Sequence, residues 1–354
     1  MKKIVVVMRW LRKGGAESNT IKLVNHLAMN NKVELLVLSN EYTDLLPIIY
    51  ENVNVSIGIN WCSIMYKASA LNEGDTIFCG DHKIAAIIAL FRKITVFKKY
   101  KLGFRCINNM SILLSDKGWL FRLLAMKAFS SVDFVISQCE AMKEDLVENW
   151  KVPENNINVI YNTVSVSRDF QEKSNTLDSK SFLFVGRFSK QKQLDFLVSA
   201  FLKADVPNGI LTLVGYRENM AEDRKILETI NRIVDDNNAH HKIKIENWTS
   251  DSSDFFNNHD FFLLSSSYEG FPNVLIEAIA KGLAIVSTDC SFGPSEIIDD
   301  DNGILVTDNS IDAYSQAIYF ASQKNWDRKL IVDNAMKFDD STQLSKIDLV
   351  IQSA

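Results

Sequence analysis

The sequence has few cysteines, and none is placed for metal or disulfide chemistry. Cys62, Cys79, Cys106, Cys139 and Cys290 are odd in number and scattered, with no Cys-x-x-Cys and no Cys/His cluster. That excludes a disulfide framework and a zinc site and fits reduced thiols in a cytosolic protein. Long apolar runs are also missing: the longest, Ile84 to Phe91, falls far short of the roughly 20 residues that cross a bilayer. The opening MKKIVVVMRWLRKGGAE is broken by Arg9 and Arg12 and has no small-residue cleavage site, so it predicts a buried first strand rather than a signal peptide. Positive charge is not in excess. A net charge of -5 argues against a general nucleic-acid binder. No internal repeat and no low-complexity tract occurs.

A chain of 354 residues outgrows a single hydrophobic core, which stops growing near roughly 250–300 residues, so two domains are expected. The first half alternates β-branched runs with helical patterns: KKIVVVM, a helix over about 16–29, then KVELLVLS. This βαβ rhythm predicts a parallel sheet covered by helices. NVSIG, DTIFCG, LGFRCI, FVISQ and INVIY supply further strands, with helices over Gly118–Phe129 and Glu140–Trp150. Residues 165–180, SVSRDFQEKSNTLDSK, are polar and aperiodic and read as a linker. A second α/β rhythm follows in SFLFVG, GILTLVG, KIKIEN, DFFLLSS and LAIVST, with helices over Gln193–Ala204, Ala221–Asn237 and Asn273–Lys281. The expectation is an α/β chain with Rossmann-like domains at 1–165 and 181–335, a linker at 166–180, and 336–354 returning to the first domain.

The most informative stretch is FFLLSSSYEGFPNVLIEAIAKGLAIVST. A buried strand, Phe261–Leu264, runs into a polar loop and then directly into a helix. Pro272 suits a helix start, Asn273 can cap it, and Gly282 sits where it should stop. Such a loop presents free amides and the positive end of a helix dipole to an oxygen-rich ligand. Glu269 lies on the loop and Glu277 one turn beyond Asn273, so both can face one pocket and accept hydrogen bonds from sugar hydroxyls. Two glutamates at this spacing mean little alone; the strand, the loop and the helix around them supply the weight. In SFLFVGRFSKQKQLDFL, Arg187 and Lys192 follow a strand that ends at Gly186, where cations can stabilise charge developing on a diphosphate. After the first strand, Gly14 and Gly15 allow close backbone approach to a ligand. They do not form Gly-x-Gly-x-x-Gly, so the dinucleotide-oxidoreductase fingerprint is absent.

Residues Glu269, Gly270, Phe271, Glu277, Ala278, Ala280 and Gly282, continued by Gly293, Pro294, Glu296, Gly303 and Leu305, resemble the donor-site signature of glycosyltransferase family 4. Those are retaining enzymes of the GT-B fold, two Rossmann-like domains facing across a cleft. The likeness covers most of 130–335 and only loosely the first 125 residues. It implies that Glu277 holds the ribose of a nucleotide-sugar and Glu269 the donor sugar. The loop Gly270, Phe271, Pro272 and Asn273 would reach the diphosphate through the amides that follow Gly270. The family's G-R-x4-K-G pattern matches at Gly186, Arg187 and Lys192, with Gln193 in place of its last glycine. Glu269, Arg187 and Lys192 are therefore the implied catalytic group. Gly15, Tyr216 and Trp248 are implied near the donor, and Gly14, Arg105 and Asn109 near the acceptor.

What the resemblance implies is a cytoplasmic, metal-independent transferase without a cofactor. It would move a hexose or N-acetylhexosamine, with UDP the expected carrier, onto a lipid-linked glycan of cell-surface polysaccharide assembly, such as O-antigen or capsule. Positioning and charge stabilisation suffice for such transfer, with double displacement through Glu269 as the rival. The histidine many relatives carry in the first domain is missing from LGFRCINNMS, and His82 lies upstream. Asp299 to Asp301 contains the Asp-x-Asp spacing of metal-dependent transferases but precedes Asn302–Gly303, which reads as turn chemistry. His240 and His241 read as a solvated loop. Across 83–105 there is no acidic residue, while Lys83, Arg92, Lys93, Lys98, Lys99, Lys101 and Arg105 interleave with apolar side chains. That bias predicts a face lying on the inner surface of the cell membrane. The rival readings are a silent GT-B subunit that binds an assembly partner, and a GT-B epimerase or phosphorylase.

Overall fold

The computed structural model describes residues 2–94, 100–167 and 180–353. The chain divides into two compact units, one of residues 1–163 with 340–354, the other of residues 164–339. Most of the expected linker, 168–179, lies outside the described residues. Val164 and Val166 belong to the second unit, where their amides donate to Phe338 O at 3.0 Å and Asp339 Oδ1 at 3.1 Å.

The first unit is built on strands β1 (Lys3–Met8), β2 (Lys32–Val37), β3 (Asn54–Ile57), β4 (Thr76–Cys79), β5 (Lys101–Cys106), β6 (Phe134–Ser137) and β7 (Ile157–Val159), in the order β3-β2-β1-β4-β5-β6-β7. Every pairing is parallel. The near-continuous apolar run of β1 follows from this, because a parallel sheet is covered on both faces. Successive side chains alternate sides. Ile4, Val6 and Met8 join a core with Ile21, Val24 and Leu27 of the helix Gly15–Ala28, and with Ile347, Val350 and Ile351 near the C-terminus. Val5 and Val7 face a second core with Ile84, Ile88 and Phe129. The helix Asp340–Ser353 is held to the first unit by Lys22 Nζ to Asp340 Oδ1 and His26 Nε2 to Asp348 Oδ2, both 2.9 Å.

The second unit repeats the plan with β8 (Lys180–Val185), β9 (Gly209–Tyr216), β10 (Ile243–Asn247), β11 (Phe261–Leu264), β12 (Ala284–Thr288) and β13 (Gly303–Val306), ordered β10-β9-β8-β11-β12-β13 and again parallel. In both sheets the strand order reverses next to the first strand of the unit, between β1 and β4 and between β8 and β11. Open α/β sheets bind ligands at such a reversal, beyond the carboxyl ends of the strands.

Two expectations are corrected. Segment 83–105 does not form one surface: it divides into the helix His82–Ile94 and strand β5, with 95–99, and so Lys98 and Lys99, outside the described residues. Tyr100, Leu102, Phe104 and Arg105 are buried, because a central parallel strand has no solvent face. Asn273 is the first residue of the helix Asn273–Ala280 rather than its cap; Pro272 occupies the cap position and makes no capping hydrogen bond. His82, upstream of LGFRCINNMS, opens a helix and is 5% exposed against Phe129.

Burial holds the His82 imidazole below its usual range despite the neighbouring Asp81, and its Nε2 has no hydrogen-bond partner among the described residues. A depressed folded-state value means this site favours folding fully above the unfolded pKa of about 6.5, and that contribution is lost as pH falls below it. Urea melts at pH 7.5 and 5.5 should therefore show an acid-side loss in the native chain that His82→Met reduces. Parallel losses in the two proteins would refute this.

Candidate active site

β8 and β11 are neighbours, and the loops that leave them are stitched together. Ser265 Oγ donates to Lys192 O at 2.7 Å, Ser267 N to Gln191 O at 2.9 Å, and Gln191 Nε2 to Tyr268 O at 2.7 Å. This brings Lys192 Nζ to 2.5 Å from Glu269 Oε1, with the side chains only 12% and 10% exposed. Two charges withdrawn from water stabilise each other, but such a pair adds little to folding after desolvation. Its position at the mouth of the strand reversal is where a ligand would meet it.

Cys290 lies beside this pair. Burial first, then the Glu269 carboxylate, push its thiol up to about 12, so it stays protonated at neutral pH and is no nucleophile. Arg187 follows β8, is exposed, and forms no ion pair among the described residues. Phe271 is buried and packs on Phe338 with ring centroids 5.8 Å apart, while Pro272 is buried and Gly270 and Asn273 are half-buried. Glu277 is half-buried on the helix Asn273–Ala280.

The loop is pressed into shape from outside by Gly293, at φ +101, where a Cβ would lie 2.6 Å from Pro272 Cδ and 3.3 Å from Gly270 O. Gln193 adopts the left-handed conformation, φ 47 and ψ 50. That accounts for glycine in the family pattern, since only glycine enters this region without steric cost.

Further along the same sheet edge, Trp248 N donates to Tyr216 O at 2.8 Å, Tyr216 packs edge-on against Phe188, and the Trp248 ring is 53% exposed. Arg217 holds this strand exit by a two-pronged bond to the fully buried Asp223, at 3.0 and 2.7 Å. Asp299 to Asp301 form a turn: Asp299 N donates to Asn302 Oδ1 and Asp301 N to Asp299 Oδ1, each at 3.0 Å. Among the described residues no group of three or more His, Cys, Asp or Glu could hold a metal ion.

In the first unit the reversal between β1 and β4 opens a crevice of about 60 Å³, lined by residues that include Arg9, Trp10, Glu17, Gly80 and Asp81. Trp10 Nε1 donates to Glu17 Oε1 at 2.8 Å, and the Arg9 guanidinium sits 4.4 Å above the Trp10 ring. Gly14 caps the helix that carries Glu17 and Gly15 is its first residue.

Arg105 departs from the expected acceptor contact. It is 1% exposed and donates to Thr20 Oγ1 at 3.1 Å and Asn162 Oδ1 at 2.5 Å, while burial lowers it to about 10. It is a strut beneath the crevice, because a buried guanidinium must spend its donors on internal partners. Asn109 likewise caps the short helix Met110–Leu113, accepting from Ile112 N at 2.7 Å. Sequence reasoning missed Trp10, Glu17 and Asp81. The available signal was a carboxylate three residues after Gly14, at the start of the helix that follows β1.

With this geometry in hand, the likenesses to known proteins are informative. Residues 166–338 match the family "Glycosyl transferases group 1". The chain is 26% identical over 331 residues, 86% of each, to the Campylobacter jejuni N-acetylgalactosamine-N,N'-diacetylbacillosaminyl-diphospho-undecaprenol 4-alpha-N-acetylgalactosaminyltransferase. It is 27% identical over 227 residues to the Escherichia coli lipopolysaccharide 1,6-galactosyltransferase, covering 63% of this chain and 62% of that one. Among solved structures it superposes on Anabaena HepE in complex with UDP, with a TM-score of 0.83, 17% identity and full coverage of both chains. The lipopolysaccharide outer core galactosyltransferase WaaB in its apo form gives a TM-score of 0.79 at 19% identity over 99% of both.

Proposed function

We propose that the chain is a glycosyltransferase that moves a hexose or N-acetylhexosamine from a UDP-sugar to a lipid-linked saccharide, with retention at the anomeric carbon, a reading supported by its GT-B fold and by the match of residues 166–338 to the group 1 family. The observation that carries this is the Lys192–Glu269 pair, 2.5 Å apart at the reversal between β8 and β11. Glu269 accepts from a donor-sugar hydroxyl, and Lys192 with the exposed Arg187 takes the charge that builds on the diphosphate. Glu277 holds the ribose, the loop from Gly270 to Asn273 meets the phosphates, and Tyr216 and Trp248 flank the base. In the chemical step the bond from the anomeric carbon to the phosphate oxygen breaks, leaving its electron pair on that oxygen. The acceptor oxygen bonds to the same face of the carbon, and its proton passes to the departing phosphate.

The acceptor belongs to the first-unit crevice, where Glu17 and Asp81 offer carboxylate oxygens to sugar hydroxyls and Gly14 lets the chain approach closely. The Campylobacter relative, named for a diphospho-undecaprenol substrate, supports a lipid-linked acceptor of this type, and with it a role in surface-glycan assembly.

The test begins with a panel of UDP- and GDP-sugars. One UDP-sugar should raise the melting temperature, because a ligand bound only to the native state stabilises it by mass action. That sugar should then appear in an α-linked product on a polyprenyl-diphosphate saccharide. Stabilisation by none of the panel, with equal and negligible turnover in the native chain and Glu269→Ala, would favour a silent subunit and overturn the proposal.

A further inference from the structure

The helix Trp119–Phe129 leaves uncovered more apolar surface than its own packing requires. Trp119 is 76% exposed, Leu120 56%, Phe121 49% and Leu124 46%, while Ala125, Ala128 and Phe129 are buried. The short helix before it adds Ile112 and Leu113, and the helix His82–Ile94, which packs beside it, adds Ile87 and Leu90. Exposed apolar surface of this kind marks an interaction site.

Charge says what covers it. From 82 to 132 the sequence holds ten Lys and Arg against one acidic residue, Asp116, in a chain whose net charge is -5. Of the ten, Lys83, Lys93, Lys117, Arg122 and Lys127 are exposed around these helices. Beside Trp119 runs a groove of about 380 Å³, with Met126 and Trp150 in its wall and the Arg122 guanidinium 5.7 Å from the Trp150 ring.

We propose that this face docks on an anionic lipid bilayer. Trp119, Leu120 and Phe121 enter the headgroup layer, where an amphipathic indole is favoured, and the cations meet lipid phosphates. No helix among the described residues is long and apolar enough to cross a membrane, so the contact is one of lying on the surface. The docking face is then centred on the Trp119 helix, and of residues 83–105 only Lys83, Ile87, Leu90 and Lys93 of the helix His82–Ile94 join it. The inference is independent of the sugar-transfer reading, because docking is measured without donor or acceptor.

Co-sedimentation with phosphatidylcholine vesicles, with and without phosphatidylglycerol, tests it. The native chain should pellet with the anionic vesicles and not with the neutral ones, less so as salt rises. Leu120→Ser with Phe121→Ser, and separately Lys117→Glu with Lys127→Glu, should each weaken binding about tenfold or more while the melting temperature stays unchanged. A native chain left in the supernatant with anionic vesicles overturns the proposal, as do variants that bind like the native chain. So does a dimer dispersed by the same substitutions, which would put a second copy on this face.

Discussion

Lys192→Ala is expected to lower the turnover of sugar transfer by about a hundred- to a thousandfold, the usual cost of removing one preorganised group aimed at developing charge. The substitution acts twice. It removes the cation that would meet the departing diphosphate, and it leaves the Glu269 carboxylate, only 10% exposed, without its partner. An unpaired carboxylate there repels the donor's phosphates and weakens the fold. A double variant separates these effects. Lys192→Met with Glu269→Gln restores a neutral, matched pair, so its melting temperature should exceed that of Lys192→Ala while turnover stays low. Steady-state transfer kinetics beside thermal melts decide the matter, and native-like turnover in the double variant would remove Lys192 and Glu269 from the chemistry.

Gly215→Ala should cost the second unit about 3–5 kcal/mol of stability, at the severe end for a single substitution. Gly215 sits at φ +127, and a Cβ there would lie 2.0 Å from the carbonyl oxygen of Gly186. A flexible side chain could move aside, but here the obstacle is the backbone just beyond β8, at the root of the Arg187–Lys192 loop. The β8 and β9 ends must separate or the turn must change, and either displaces the cations. Gly74→Ala is the control: φ is +90, but nothing stands within 4 Å of the added carbon, so it carries conformational strain alone, about 1–2 kcal/mol. Calorimetry of the two variants gives the comparison. Equal losses would mean that the Gly186 contact relaxes freely.

Much of the architecture was readable from residue patterns. The run KIVVVM is apolar on both faces, which identifies a strand inside a parallel sheet, and the expected helix over 16–29 is observed at Gly15–Ala28. Gly282, at φ +72, ends the helix Asn273–Ala280 as its position implied. Other elements carried weaker signals. The helix Asp340–Ser353 has few apolar positions, and Ile347, Val350 and Ile351 acquire meaning only against Ile21 and Val24, more than 300 residues earlier in the chain. The helix Ile311–Gln323 had a local signal, a Ser310 side chain that caps it, which the α/β rhythm alone did not pick out.

The site divides along the same line. Local sequence determined that a buried strand, Phe261–Leu264, exits through a loop with Glu269 into a helix with Glu277, because strand length, proline and glycine act on nearest neighbours. Tertiary structure decided which cation meets Glu269. Lys192 is 77 residues away, and the two touch because β8 lies beside β11 while β9 and β10 extend the other way. It also decided that Arg105 is a strut rather than a contact, through Thr20 and Asn162. Strand order is set by crossovers and pairings between distant segments, and no stretch of sequence encodes that neighbour relation by itself.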